Sequence, residues 1–520
     1  MPDGAVASVA SVAMAERAKP TAHGGGIAFE SGAGRWVLAV AVLGSGIVFL
    51  DGTVINVALP TIGEDLDAGT SSLQWILNGY LLTLASLILL GGSLGDRYGR
   101  RRIFAVGVAW FSAASLLCAL APTSEALIAA RLLQGIGGAL LTPGSLAIIE
   151  SAFRAGDRAR AIGAWSGLTG VATAIGPLLG GWLVEAVSWR LIFLINLPIG
   201  AFVFVMANRH VPETRDADAT GPLDVPGALL AALGLGGSSY ALIQAPDDGA
   251  SAAVLIGAFA GLAALAAFIV VERRSSSPMM PLSMFASKQF TAANLVTFAV
   301  YAALSGVFFL LVAFLQISLD YSPLAAGAAT LPVTLIMLAF SARSGALAQR
   351  VGARIPLTLG PLVLAAGMLL MIEIGPGDPY VTSVLPAVIV FGAGLTLVVA
   401  PVTATVLAAA DQRHSGIASG INNAVSRVAG LLAVAVLPVV AGLTGDRFYD
   451  PAAMEEGFAT AMIATAALAA TGGLIAWMMI DAEVLESDPE PEQPDYECPV
   501  SGAPLRPGHE HRDAASASGG

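Results

Sequence analysis

Charged side chains are scarce: Asp, Glu, Lys and Arg make up 12% of the 520 residues, against roughly 25% in an ordinary soluble protein. With 56% hydrophobic residues, no soluble core could enclose the apolar surface, and a water-borne fold is excluded. Lysine is nearly absent. Lys19 and Lys288 are the only two, and neither follows the glycine pattern of a phosphate loop, so primary ATP-driven transport has nothing to rest on. Cysteine is as rare: Cys118 lies inside an apolar run and Cys498 in a polar tail, which gives neither a disulfide framework nor metal-ligand spacing. No zinc-protease helix, triad spacing or basic nucleic-acid face is present. The chain is therefore read as a non-enzyme that needs no cofactor or metal and binds no nucleic acid; His509-Glu510-His511 reads as part of a solvated tail. The first 35 residues lack the basic stretch and cleavable apolar stretch of a secretory signal.

What is abundant is apolar sequence in long blocks. From about residue 36 to 479 about fourteen segments approach the ~20 residues that an apolar helix needs to cross hydrocarbon. The first falls near 36–58 and the last near 458–479. Gly and Ala are frequent inside them, as suits helices that approach closely in lipid. An even number of crossings returns the chain to its starting side. The even-numbered connections hold fifteen Lys and Arg and the odd-numbered ones two, Arg190 and Arg447; since cytoplasmic loops carry that excess, both termini are expected on the cytoplasmic side. The formal net charge is −12, and ten acids against Arg506 and Arg512 in 481–520 carry two thirds of it. The organisation expected is a disordered tail over 1–35, a six-helix bundle over 36–207, a linker with two extra helices over 208–290, a second six-helix bundle over 291–480, and a disordered acidic tail over 481–520.

Several stretches carry more than hydropathy. Gly92–Arg102 reads GSLGDRYGRRR, and a degraded counterpart, GALAQRVGARI, follows the tenth segment, as expected of a duplicated half. Asp51 interrupts the apolar first segment; a carboxylate at that depth is costly unless paired, protonated or beside water. Arg131 interrupts the fourth. At ~1.5 Å per residue, Asp51 lies roughly 11 Å and Arg131 roughly 9 Å from the outer ends of their segments, so the two can meet. Asp51 is the leading proton carrier, with Arg131 as its partner; a static ion pair that only fixes packing is the plainer alternative. Polar and aromatic groups at membrane depth that could face a cavity include Asn56, Tyr80, Gln134, Trp165, Gln316, Asn422 and Asn423, since apolar walls with few polar groups suit amphipathic ligands.

GSLGDRYGRRR resembles the loop between helices 2 and 3 of the major facilitator superfamily, with Gly92, Asp96, Gly99, Arg100 and Arg101 at the family's positions. The resemblance implies a conformational latch against the thirteenth helix, which carries Arg427. Gly176-Pro177-Leu178-Leu179-Gly180-Gly181 resembles the motif of the antiporter branches, and WRLIFLINLPIG (Trp189–Gly200) is similar to the helix 5–6 junction of the fourteen-helix drug/proton antiporters. LDGTVINVALP around Asp51, RLLQGIGGAL around Arg131, YSPLAAGAATLP and SGIASGINNAVSRVAG resemble the same branch. The resemblance implies an all-α integral membrane fold of two six-helix bundles plus two extra helices. It also implies a monomer in the cytoplasmic membrane that exchanges protons for amphipathic drugs or antibiotics. An exporter of one metabolite or lipid precursor and a non-transporting sensor or scaffold remain as alternatives. Some relatives that take cationic drugs carry an extra acid in the tenth helix; Pro332–Gly345 has none, only Arg343.

Overall fold

A backbone in lipid must satisfy its own hydrogen bonds, and the helix is the local way to do so. The computed structural model describes residues 26–216, 221–410 and 415–485. Over these it has fourteen helices long and apolar enough to cross a membrane, numbered here as spans 1 to 14. Spans 1 to 6 are Gly32–Asp65, Thr70–Tyr98, Arg100–Ala119, Ser124–Ala152, Ala155–Ala186 and Leu191–His210. Spans 7 and 8 are Val225–Asp248 and Ala252–Arg274. Spans 9 to 14 are Lys288–Ile317, Pro323–Val351, Arg354–Glu373, Val384–Ala408, Gly416–Val440 and Pro451–Met479.

The starts follow local chemistry. Ser31, Thr123, Asp224, Ser251, Ser287, Ser322 and Asp450 each accept a hydrogen bond from an amide in the first turn of their helix, as capping residues do. These polar turns explain where hydropathy alone misplaces the edges. Span 14 begins at Pro451 rather than near 458, its first turns carrying Glu455 and Glu456, and span 5 begins at Ala155, ahead of Asp157, Arg158 and Arg160. Most of the expected tails lies outside the described residues, but 26–35 is ordered, contrary to expectation. Ile27 N–H donates to Ala152 O at 2.8 Å and Ile27 O accepts from Arg154 N–H at 3.2 Å, while Phe29 packs on Phe153 with ring centroids 6.2 Å apart. Asp481 likewise stays docked, accepting from Gln289 Nε2 at 2.6 Å.

Spans 1 to 6 form one bundle and spans 9 to 14 a second, each packed through contacts between its own helices. Spans 7 and 8 pair with each other, and span 7 lies against span 2 of the first bundle and span 13 of the second, where Leu235 joins Leu82 and Leu431. Phe259, on span 8, is 77% exposed, as suits a lipid-facing ring. One end of the molecule carries Arg97, Arg100, Arg101, Arg102, Arg154, Arg158 and Arg160 and is called the basic end; the other is the far end.

Among the described residues every hydrogen bond between the two bundles lies in the far half. Tyr449 Oη donates to Ala68 O at 2.7 Å, Thr70 Oγ1 to Gly445 O at 2.9 Å, Gln74 Nε2 to Val434 O at 2.7 Å, Gln316 Nε2 to Val57 O at 3.0 Å and Leu324 N–H to Glu185 Oε2 at 3.1 Å. Burial, with Glu64 and Asp67 close by, pushes the Tyr449 hydroxyl up to about 12, so it remains a donor at any physiological pH. The bundles are thus tied at the far end. Toward the basic end spans 2 and 13 stay close as far as Leu89 and Gly420, whereas on span 5 nothing lies within 4 Å of a side chain built at Gly163, Gly167 or Gly170.

Candidate functional site

The chemistry-bearing centre is built by five spans of the first bundle. Asp51 of span 1 and Arg131 of span 4, expected to meet, are joined through Oδ2 and Nη1 at 2.5 Å, with Asp51 only 3% and Arg131 0% exposed. Two unit charges at that depth are sustainable only if their other hydrogen-bonding positions are filled. Most are. Arg131 Nε donates to the Ile76 carbonyl on span 2 at 3.0 Å and Nη1 to Gln134 Oε1 at 2.6 Å. Gln134 Nε2 in turn donates to Asp51 Oδ1 at 2.8 Å and to Ser115 Oγ on span 3 at 2.9 Å. Asn196 Nδ2 approaches both Asp51 Oδ1 and Ser115 Oγ, at 3.4 and 3.3 Å. The guanidinium also faces the Tyr80 ring at 4.4 Å and the Phe193 ring at 5.8 Å, contacts that attract a cation to an aromatic face.

The backbone makes this closeness possible. Gly135, one residue past Gln134, stands where a side-chain carbon would lie 2.3 Å from Tyr80 O and would overlap Thr83, so spans 2 and 4 can approach only because it has none. Span 6 breaks after Leu194 and restarts at Asn196, which puts that amide level with Asp51. Gln134, expected in a substrate cavity, belongs instead to this sealed network, as does the Tyr80 ring. Sequence reasoning missed Ser115 and Asn196. Asn196 was legible as a polar residue inside an apolar run; a lone Ser in a transmembrane helix gives no such signal.

The antiporter-type motif on span 5 packs on two neighbours. A side chain at Gly180 would press on Val54 of span 1 at 3.0 Å, and one at Gly176 would overlap Thr53. A side chain at Gly181 would lie 2.4 Å from Pro323 O across the seam on span 10, where Gly327 abuts the Pro177 carbonyl. Gly163, Gly167, Gly170, Pro177 and Gly181 recur at helical spacing on one face of span 5. That face is closed at the far end and open toward the basic end.

At the basic end Asp96 does not meet Arg427. Its Oδ1 holds Arg100, with Nε and Nη2 both at 2.8 Å, and its carbonyl accepts from Asp216 N–H at 2.9 Å. Gly99, at φ +113°, sits over the Glu213 carboxylate, which accepts from Arg101 N–H at 3.1 Å. Arg97 Nη1 donates to Gly221 O at 2.6 Å. Among the described residues the Gly92–Arg102 segment is thus bonded to the connector between spans 6 and 7 and not to span 13. The register between spans 2 and 13, with Gly420 opposite Leu89 and Gly430 opposite Leu81, sets Arg427 about 18 Å up the helix from Asp96 at ~1.5 Å per residue.

The remaining cavity candidates divide. Trp165 Nε1 donates to Ser45 Oγ at 3.1 Å, tying span 5 to span 1. Asn422 Nδ2 donates to Asn294 Oδ1 at 3.2 Å and Thr297 Oγ1 at 2.8 Å within the second bundle. Asn56 and Asn423 are half-buried and bond the backbone of their own helices. Gln316 belongs to the far-end tie rather than to an open cavity.

Comparison with known proteins places this arrangement. The family profile described as Major Facilitator Superfamily matches residues 41–434. The chain is 37% identical over 447 residues to the methylenomycin A resistance protein of Streptomyces coelicolor, covering 85% of this chain and 92% of that one. It is 35% identical over 397 residues to multidrug resistance protein Stp of Mycobacterium tuberculosis, covering 76% and 73%. Among solved structures it resembles the partially occluded, inward-open xylose transporter XylE from E. coli, with TM-score 0.59 at 15% identity over 86% of this chain and 99% of that one. It resembles a peptide transporter, POT, with TM-score 0.64 at 17% identity over 89% and 98%; both likenesses speak for the fold alone. With fourteen spans in two bundles and a profile that runs from span 1 into span 13, the chain belongs to the major facilitator superfamily.

Proposed function

We propose that the chain is a proton-coupled exporter of amphipathic small molecules in the cytoplasmic membrane, with its basic end and both termini in the cytoplasm. The observation that carries this reading is the sealed Asp51–Arg131 pair, 2.5 Å apart, in a bundle free to part from its neighbour at the basic end. The relatives named for methylenomycin A and multidrug resistance support export as the direction, and the lysine and arginine excess supports the orientation.

Physically the cycle runs as follows. With the far end tied, Asp51 is ionised and held by Arg131, and the cytoplasmic side admits substrate. When the molecule opens at the far end, a proton reaching Asp51 removes its charge and with it most of the Coulomb attraction to Arg131. The guanidinium is then free to change partners, which lowers the barrier to return. In that other state Asp96 comes toward the start of span 13, which engages the latch. Transport into inverted vesicles tests the reading: Asp51→Asn, still present in the membrane at normal amount, should lose uptake driven by a proton gradient. Unimpaired uptake by that variant would refute it.

A further inference from the structure

Arg427 stands apart from the other arginines at membrane depth. Arg131 is consumed by Asp51, Gln134 and the Ile76 carbonyl. Arg343, nearer the basic end, is exposed and turned back onto its own helix at Ala339 O. Arg427 lies near the middle of span 13, half-buried, and its guanidinium carbon sits 5.5 Å from the Phe49 ring of span 1, in the opposite bundle. It is close enough for its charge to act on the hydroxyls of Tyr80 and Tyr301. Among the described residues no carboxylate pairs with it, and its Nε is sealed from solvent without an acceptor.

A half-desolvated guanidinium without a counter-ion is costly in a membrane protein. The surrounding groups do not relieve that cost. Asn422, Asn423 and Ser426 on the same span are neutral and bonded elsewhere, and Asp51, the carboxylate of span 1 at this depth, is spent on Arg131. Where Arg427 faces Phe49 across the boundary between the bundles the local charge is therefore net positive and next to an aromatic face, and the arginine-rich basic end adds attraction for anions. Guanidinium is also the side chain best shaped to take a carboxylate or an enolate in a forked pair of hydrogen bonds.

Resting on the export reading above, we propose that Arg427 anchors the negative charge of the substrate, so that the compounds exported are amphipathic anions: aromatic or cyclic carboxylates, enolates or phenolates. Phe49 then offers the ring beside that anchor.

Two dyes sharing one xanthene skeleton, fluorescein (an anion at neutral pH) and rhodamine 123 (a cation), isolate charge from shape. Their binding to the purified full chain in lipid nanodiscs, followed by fluorescence anisotropy without any proton gradient, should favour fluorescein at least tenfold. Arg427→Gln should lose that preference while binding rhodamine 123 as well as before or better, and Arg427→Lys should retain an intermediate preference for fluorescein. Equal or tighter binding of rhodamine 123 by the unmodified protein would overturn the proposal. So would fluorescein binding indifferent to Arg427→Gln, or a parallel loss of both dyes, which would make Arg427 a packing residue. Coupling is separated by a second measurement: fluorescein uptake into inverted vesicles that survives a protonophore defeats the proton-driven reading and leaves the binding result standing.

Discussion

At the scale of single residues, the centre is a test of how membrane proteins carry buried charge. Breaking an ion pair by deleting one partner typically costs 3–5 kcal/mol, because the other charge is left stranded. Asp51→Ala and Arg131→Ala should each lower thermal stability in detergent by roughly that amount, about 3–5 kcal/mol. The double variant should recover a large part of it, because no bare charge remains; strictly additive losses would show that the two groups do not act as a pair. Tyr80 offers the opposite case. Its hydroxyl is buried with no hydrogen-bond partner, so Tyr80→Phe should leave stability unchanged or raise it slightly. A loss above about 1 kcal/mol in thermal unfolding would mean that the hydroxyl has a partner after all.

At the scale of elements, span 5 is a face of small residues used twice. Near Gly181 and Gly327 the helices touch backbone to backbone, and a branched side chain there must force spans 5 and 10 apart. Gly327→Val should therefore disfavour closure of the far end, whereas Gly167→Val, facing open space here, should crowd the same seam when the basic end closes and push the balance the other way. A disulfide between cysteines placed at Glu185 and Leu324, whose parent residues already touch, reads this: it should form less readily with Gly327→Val and more readily with Gly167→Val. A shift in the same direction for both would rule out the rocking seam. The spans were legible in the sequence because lipid leaves a twenty-residue apolar run only one structure, and the depth of Asp51 and Arg131 sufficed to pair them. Less was legible where recognition is tertiary. The four-residue spacing of Asp96 and Arg100 already offered that pair, but no local pattern reports that Gln134 turns inward, because its partners Asp51 and Ser115 come from two other spans. The ordered stretch from Ile27 to Ser31 escaped for a different reason: it is held by a few backbone bonds to the Ala152–Arg154 corner, which composition does not reveal.

At the scale of the whole molecule, closure at one end fixes what each side of the membrane can reach. With Cys118 removed by Cys118→Ala and Cys498 by Cys498→Ser, a membrane-impermeant maleimide should label Gly167→Cys in inverted vesicles. It should spare Ala326→Cys, whose position is fully buried at the far end. Labelling of Gly167→Cys only in intact cells would reverse the proposed orientation. The added helix pair bears on how an oily cargo arrives. Two bundles meeting face to face leave two slots through which a molecule dissolved among acyl chains could slide sideways. Span 7 boards over one of them, with Leu235 wedged between Leu82 and Leu431. On the export reading proposed above, cargo arriving sideways through the lipid would have the other slot, beside the small-residue face of span 5, as its way in.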